Sequence, residues 1–208
     1  MEDLCTIVGA GDFTERGLKE MAGYVIAADG GYRSLQQIHL EPDLIVGDFD
    51  SLGTIPSGSH VRSFPPEKDD TDMALAVRIG WDRGFRHFRL YGGSGDRLDH
   101  FLANLQLIAR ISKLGGRAVL VCPDVDIYAI TNDTLSFPHP RAGTILSVFS
   151  HGTTAQGVTL TGVKYLLDQA ELSGDVALGV SNVFTGGPAS ISVQKGTLLV
   201  FFYPDRIS

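Results

Sequence analysis

Asp48 and Asp50 stand two positions apart in Gly47-Asp-Phe-Asp-Ser51, directly after the apolar run Leu44-Ile45-Val46. On an extended chain alternate side chains share a side, so both carboxylates come within reach of one hard cation. Without a cation, a ligand or solvent between them they repel. The plainer reading is a solvated Asx turn that ends a strand. The same ambiguity recurs downstream. In KDDTDMALAV, Asp69 and Asp72 sit three apart, which suits Asp69 as the N-cap of a helix with Asp72 as its third residue. Alternatively Asp72 joins a metal cluster while Lys68 meets a phosphate. In GGSGDRLDHFLANL, Asp96 is placed to cap a helix with Asp99 as the third residue. The glycines there free backbone amides to approach an anion at the helix start. Arg97 adds a planar fork of donors for a phosphate or a base. His100 is either a solvated helix-start histidine or a substrate contact. In AADGGY, Asp29 and Gly30 belong either to a simple strand–helix turn or to a backbone approach to a ligand.

These clusters have to be positioned by something, and the intervening sequence supplies it. Short apolar runs predict strands over Leu4–Val8, Tyr24–Ala28, Leu44–Val46, Val61–Phe64, His87–Tyr91 and Ala118–Cys122. Helical periodicity covers Thr14–Ala22, Tyr32–Ile38, Thr71–Arg83 and Leu98–Leu114. Strands alternating with helices make a mainly parallel sheet covered on both faces, and such sheets gather ligands at the carboxyl ends of their strands. Each acidic or glycine-rich cluster follows a predicted strand. Past Asp124 the pattern changes to short runs at Ile127–Thr131, Thr144–Phe149, Val158–Leu160, Val176–Val180, Ala189–Val193 and Leu198–Tyr203, punctuated by Gly, Pro, Asn and Ser. The chain thus reads as α/β, with an α/β catalytic domain over 1–125 and a smaller all-β module, a sandwich or open barrel, over 126–208. The junction falls between Cys122 and Pro140.

Composition narrows the function. The chain has 208 residues and a formal net charge of −7, which argues against a nucleic-acid or anionic-membrane surface. No apolar stretch suits a membrane span and the N-terminus does not resemble a signal peptide, so the expected setting is the cytoplasm. Cys5 and Cys122 form no C-x-x-C pair and read as small buried residues in a reducing compartment. There is no P-loop motif, no G-x-S-x-G and no zinc-ligand spacing. GAGDFT begins like a dinucleotide fingerprint, but Thr14 stands where the third glycine belongs. Taken together, Asp29, Asp48, Asp50, Asp69, Asp72, Asp96 and Asp99 crowd one sheet edge. Their mutual repulsion is relieved by a hard cation such as Mg²⁺, which binds through a few carboxylates and completes its shell with water and phosphates. The residues therefore predict Mg²⁺-dependent chemistry on a phosphate-bearing ligand.

The ordered set ADGG, GDFDS, KDDTDMAL and GGSGDRLDHFLANL, followed by GVSNVF and ISVQKGTLLVFF, resembles the thiamine pyrophosphokinase family over nearly the whole chain. The resemblance implies pyrophosphoryl transfer from ATP to thiamine with Mg²⁺. It also implies a Rossmann-like first domain, a β-sandwich that binds thiamine and mediates dimerisation, and a homodimer with its active sites between subunits. Carried over by position, Asp48, Asp50 and Asp72 match the metal-binding carboxylates, and Asp99 matches the acidic residue at the reaction centre. Lys68 and Arg97 match positions near the nucleotide phosphates, with Asp29, Gly30 and Asp69 beside them. Ser181 and Asn182 match the thiamine-site pair, with His100 a further substrate contact. Trp81, the only tryptophan, does not match the late aromatic that stacks on thiamine in the family, which leaves Phe184 or a partner-subunit aromatic for that role. Two other functions fit the same residues: a Mg²⁺-dependent nucleotide pyrophosphohydrolase using water, and a nucleotide or thiamine sensor without turnover.

Overall fold

The computed structural model describes residues 3–20, 23–48, 60–63 and 70–207, so Asp50, Lys68 and Asp69 lie outside the described residues. In chain order the elements are β1 (Leu4–Val8), β2 (Tyr24–Ala28), α1 (Gly31–Gln37), β3 (Leu44–Gly47), β4 (Val61–Ser63), α2 (Asp72–Asp82), β5 (His87–Tyr91), α3 (Leu98–Lys113) and β6 (Arg117–Val121). They continue as β7 (Asp126–Thr131), β8 (Thr134–Phe137), β9 (Thr144–Ser150), β10 (Ala155–Thr161), β11 (Leu167–Leu172), β12 (Gly179–Val183), β13 (Ala189–Ser192) and β14 (Thr197–Ile207). The chain is mixed α/β, dominated by sheet, and divides into two compact units: Met1–Leu107 with Leu120–Pro123, and Ile108–Val119 with Asp124–Ser208.

In the first unit the strands run β4-β3-β2-β1-β5, each pair parallel. Registers such as Val8↔Tyr91, Val8↔Ala27 and Ala28↔Val46 bring the carboxyl ends of β1, β2, β3 and β5 to one edge. β1 and β2 are buried along nearly their whole length, as expected where helices cover both faces of a parallel sheet. Helix α2 approaches closely because Gly80 faces Cys5 and Phe88, where an added Cβ would lie 3.0 Å from Cys5 Sγ and 2.9 Å from Phe88 Cε1. Burial pushes the Cys5 thiol up to about 12, so it sits there as an inert apolar side chain.

The expected helix over Thr14–Ala22 is absent from its described part. Residues 16–20 form turns instead, with Gly17 at φ 67°, a conformation that breaks α-helical hydrogen bonding. Leu18 still anchors this segment, 1% exposed, in the core.

In the second unit β12-β9-β14-β7 and β11-β10-β13-β8 form antiparallel arrays. Leu146, Val148, Leu160, Ile191, Leu198 and Val200, all nearly inaccessible, make one shared core between them. Phe184 is part of that core, ringed by Phe137 and Phe202 at centroid distances of 5.0 and 5.9 Å. It is 1% exposed and therefore cannot stack on a ligand.

Candidate active site

A cleft of about 520 Å³ opens at the carboxyl edge of the parallel sheet. Its walls are the loop Gly9–Asp12 after β1, Ala28 and Asp29 after β2, Thr71–Met73 at the start of α2, Gly92–Arg97 after β5, and His100 and Asn104 from α3. Two of these loops are zipped together past the ends of their strands. Gly9 N donates to Tyr91 O at 2.8 Å, Gly11 N to Gly92 O at 2.9 Å and Asp12 N to Ser94 O at 2.8 Å. The approach is so close that an added Cβ on Gly11 would lie 2.0 Å from Ser94 O.

Asp29 adopts a left-handed conformation, φ 46°, with its amide donating to Val46 O at 2.7 Å. Asp tolerates that region better than most residues, yet the strain still has to be held by its surroundings. Here the hydrogen bond to β3 does so. Gly31 follows because any Cβ there would meet Val8 O at 1.9 Å, so only glycine lets α1 start against β1.

Helix α2 is capped by Thr71, whose Oγ1 accepts from Ala74 N at 3.2 Å. The structure thus corrects the expected cap at Asp69 and places Asp72 at the first helical position instead of the third. Its charge still lies in the first turn, where the helix dipole favours it. Helix α3 begins at Leu98, which makes Asp99 its second residue, not its third. Arg97 forms a two-pronged pair with Asp99: Nε to Oδ1 at 2.9 Å and Nη2 to Oδ2 at 2.7 Å. The Arg97 guanidinium, helped by the His100 amide, holds the Asp99 carboxyl well below the usual carboxylate range.

Of the residues singled out from the sequence, Asp29, Asp72, Asp96, Arg97 and His100 meet in the cleft wall. Asp48 follows directly on β3, beside the Asp29 turn, since a Cβ on Gly47 would lie 3.1 Å from Asp29 Cα. Gly30 is the N-cap residue of α1 and makes no side-chain cap. Asp99 is exposed and is not among the residues that line the cleft; the structure ties it to the cleft through its pair with Arg97. Among the described residues no group of three His, Cys, Asp or Glu side chains converges to hold a metal. The Gly9–Asp12 loop, Ser94 and Asn104 also line the cleft and were not singled out as site residues. The Gly9–Asp12 loop carries the same signal as the other clusters, glycine and an acid after a strand, but reads as a failed dinucleotide fingerprint.

Ser181 and Asn182 lie in the second unit. Ser181 sits at φ 56° beside a bulge in the β12–β9 pairing, with its amide donating to Ser147 Oγ at 3.0 Å. It borders a depression of about 400 Å³ lined also by Phe149, Phe201 and Tyr203. Asn182 is 3% exposed, and its side chain is committed to the backbone: Oδ1 accepts from Tyr165 N and Val183 N, both at 2.9 Å, and Nδ2 donates to Tyr165 O at 2.7 Å.

A family model described as "Thiamin pyrophosphokinase, catalytic domain" matches residues 16–120, and one described as "Thiamin pyrophosphokinase, vitamin B1 binding domain" matches residues 132–198. The chain belongs to the thiamin pyrophosphokinase family. It is 25% identical over 196 residues to the thiamine pyrophosphokinase of Bacillus subtilis, covering 88% of this chain and 91% of that one. The crystal structure of the Bacillus subtilis protein superposes with a TM-score of 0.84 at 24% identity, covering 98% of this chain and 100% of that one. Thiamin pyrophosphokinase from Candida albicans shares the fold at 13% identity, with a TM-score of 0.80 over 98% of this chain and 90% of that one. The fold has thus outlasted most of the sequence, and the two matched family segments span both compact units.

Proposed function

We propose that the chain is a thiamine pyrophosphokinase that transfers the pyrophosphoryl group of ATP to the hydroxyl of thiamine, giving thiamine diphosphate and AMP. One observation carries this reading: in a chain matched by both family models, carboxylates and partner-free backbone amides share one cleft. Asp29 and Asp72 supply the carboxylates. Among the described residues the amides of Ser94 and Gly95 make no hydrogen bond, and the buried Ser94 Oγ has no partner. Such amides, next to the N-terminus of a 16-residue helix, suit phosphate oxygens.

The donor set also fits Mg²⁺, which takes one or two carboxylates and leaves the rest of its shell to water and phosphate. Asp48 and Asp72, with Asp50 from outside the described residues, would hold it. When bound, Mg²⁺ neutralises charge on the phosphate oxygens. The chain's own groups do the rest. Arg97 and the loop amides bind and orient the triphosphate for attack by the thiamine oxygen on the β-phosphorus, as AMP departs with the electrons of the broken bond and the hydroxyl proton passes to solvent water. Lys68 and Asp69 extend that grip. Asp99 orients the thiamine hydroxyl, and its depressed proton affinity suits it to an electrostatic role more than to that of a strong base. His100 contacts substrate from the same helix. Ser181 presents a hydroxyl to thiamine, while Asn182 orders the turn that carries it.

The wider reading follows the family. The first domain, 1–125, is Rossmann-like, and the second, 126–208, is a β-sandwich that binds thiamine and pairs two subunits in a homodimer with active sites between them. The setting is cytoplasmic, where ATP is supplied and the thiols of Cys5 and Cys122, which form no disulfide, stay reduced; no helix among the described residues is long and apolar enough to cross a membrane.

The deciding assay incubates the protein with ATP, Mg²⁺ and thiamine and follows AMP and thiamine diphosphate. Both products in equal amounts, lost with a chelator and restored by Mg²⁺, are expected. Phosphate release without thiamine would instead identify a hydrolase, and binding of both ligands without AMP would identify a sensor.

A further inference from the structure

We propose that Asn104 is a positioning residue for the nucleotide phosphates: it fixes the peptide between Gly93 and Ser94 so that the Ser94 amide is offered to the ligand. The inference rests on the nucleotide reading of the cleft. Asn104 belongs to the buried stripe of α3; it is 7% exposed, and Ile108 and Ile111, four and seven residues on, are at 0% and 2%. Leu would fill such a position at lower cost, because a buried amide must be hydrogen-bonded to offset its lost hydration. Asn104 meets that demand with one bond, from Nδ2 to Gly93 O at 2.8 Å.

The consequence comes from peptide geometry. Among the described residues no peptide bond is cis, so the carbonyl of Gly93 and the amide N–H of Ser94 point in opposite directions. With Gly93 O turned toward Asn104, the Ser94 N–H is turned away from it. The neighbouring peptide is set in the same manner, since Ser94 O accepts from Asp12 N at 2.8 Å and the Gly95 N–H is turned away from Asp12. Gly93 packs closely here and tolerates no side chain, because a Cβ would sit 2.5 Å from Leu120 Cδ1 and 3.1 Å from Asn104 Nδ2. A glycine-rich loop would otherwise sample many peptide orientations. Asn104 removes that freedom before the ligand arrives, and preorganised donors bind charge at less cost than mobile ones.

Asn104→Leu keeps the apolar packing and removes the donor; Asn104→Asp keeps the shape and sets a carboxylate oxygen against Gly93 O. Binding of α,β-methylene-ATP and of adenosine is measured by calorimetry for each variant, beside thermal unfolding and the KM for thiamine. Binding of α,β-methylene-ATP is expected to weaken roughly ten- to hundredfold, the worth of one or two hydrogen bonds to a charged group. Adenosine binding and the thiamine KM are expected to stay unchanged in the same folded variants, a split that general loosening of α3 would not produce. Equal losses for α,β-methylene-ATP and adenosine, or undiminished α,β-methylene-ATP binding in a folded variant, would overturn the proposal. Should the Leu variant not fold, the Asp variant decides on the same criteria. A wild-type protein that binds α,β-methylene-ATP but forms no AMP with thiamine would sink the transfer reading and leave the role of Asn104 standing.

Discussion

Asp72 and Asp99 show how a single side chain serves both a helix and a reaction. Asp72 lies in the first turn of α2, but Thr71 makes the cap, so Asp72→Asn removes a charge without removing the hydrogen bond that starts the helix. This variant and Asp48→Asn are expected to fold and to lose roughly two orders of magnitude or more in turnover, by analogy with losing one transition-state electrostatic contact. AMP formation near the wild-type rate in both would remove these carboxylates from the chemistry. The bidentate Arg97 fork keeps Asp99 ionised far below neutrality in the free protein. Hence kcat/KM should show no Asp99 ionisation between about pH 5 and about pH 9. A depressed carboxyl stabilises the fold above its unfolded pKa and loses that contribution as pH falls through the folded value, so this pair contributes at neutral pH and ceases to do so only in strong acid. Asp99→Asn, stable and inactive, would separate catalysis from helix capping. A pH–rate profile with an acid limb near pH 6 that Asp99→Asn abolishes would show instead that Asp99 works as a base.

At the scale of elements, the zipped loops after β1 and β5 and the capped start of α2 are what hold the cleft open. Thr71→Ala should cost about 1 kcal/mol in urea unfolding, the usual worth of such a cap. Gly11→Ala drives a methyl into Ser94 O and has to part the two loops. It is expected to weaken ATP binding at least tenfold while leaving the second unit's core intact, with ATP titration and near-ultraviolet dichroism as the readouts; unchanged affinity would mean that this contact is not part of the nucleotide wall. The parallel strands β1, β2 and β3 were legible because each is a nearly continuous buried run. The edge strand β11 was not, because Leu167-Asp-Gln-Ala-Glu-Leu172 exposes most of its side chains and register shifts in its pairing with β10 break the alternation that marks a strand. The expected strand over Val176–Val180 begins only at Gly179: Val176 and Leu178 are 58% exposed, and glycine is needed at 179 because a Cβ would meet Val148 O at 2.4 Å.

At the scale of the whole molecule, the chain divides into two compact units that interleave in sequence between 108 and 123, and its matched family segments fall at 16–120 and 132–198. The second unit carries a pH response of its own. Burial and the nearby Lys113 ammonium lower the proton affinity of His151. As pH falls through the ordinary imidazole value of 6.5, the unfolded chain takes up a proton that the folded unit resists, so stability declines on the acid side. His151→Gln should flatten the dependence of the unfolding midpoint between about pH 7 and about pH 5; an unaltered slope would place the response elsewhere. The amino-acid sequence by itself determined the alternation of strand and helix, the change to short β runs after Asp124, and the acidic and glycine clusters that end the strands, because period, turn chemistry and residue type are local properties. Only the tertiary structure decided that Gly9–Asp12 shares a wall with Gly92–Arg97, that Asn104 reaches Gly93 and that Phe184 is sealed in a core. Those outcomes depend on strand order and on which atoms lie within three ångströms across long sequence separations, and no local pattern encodes either.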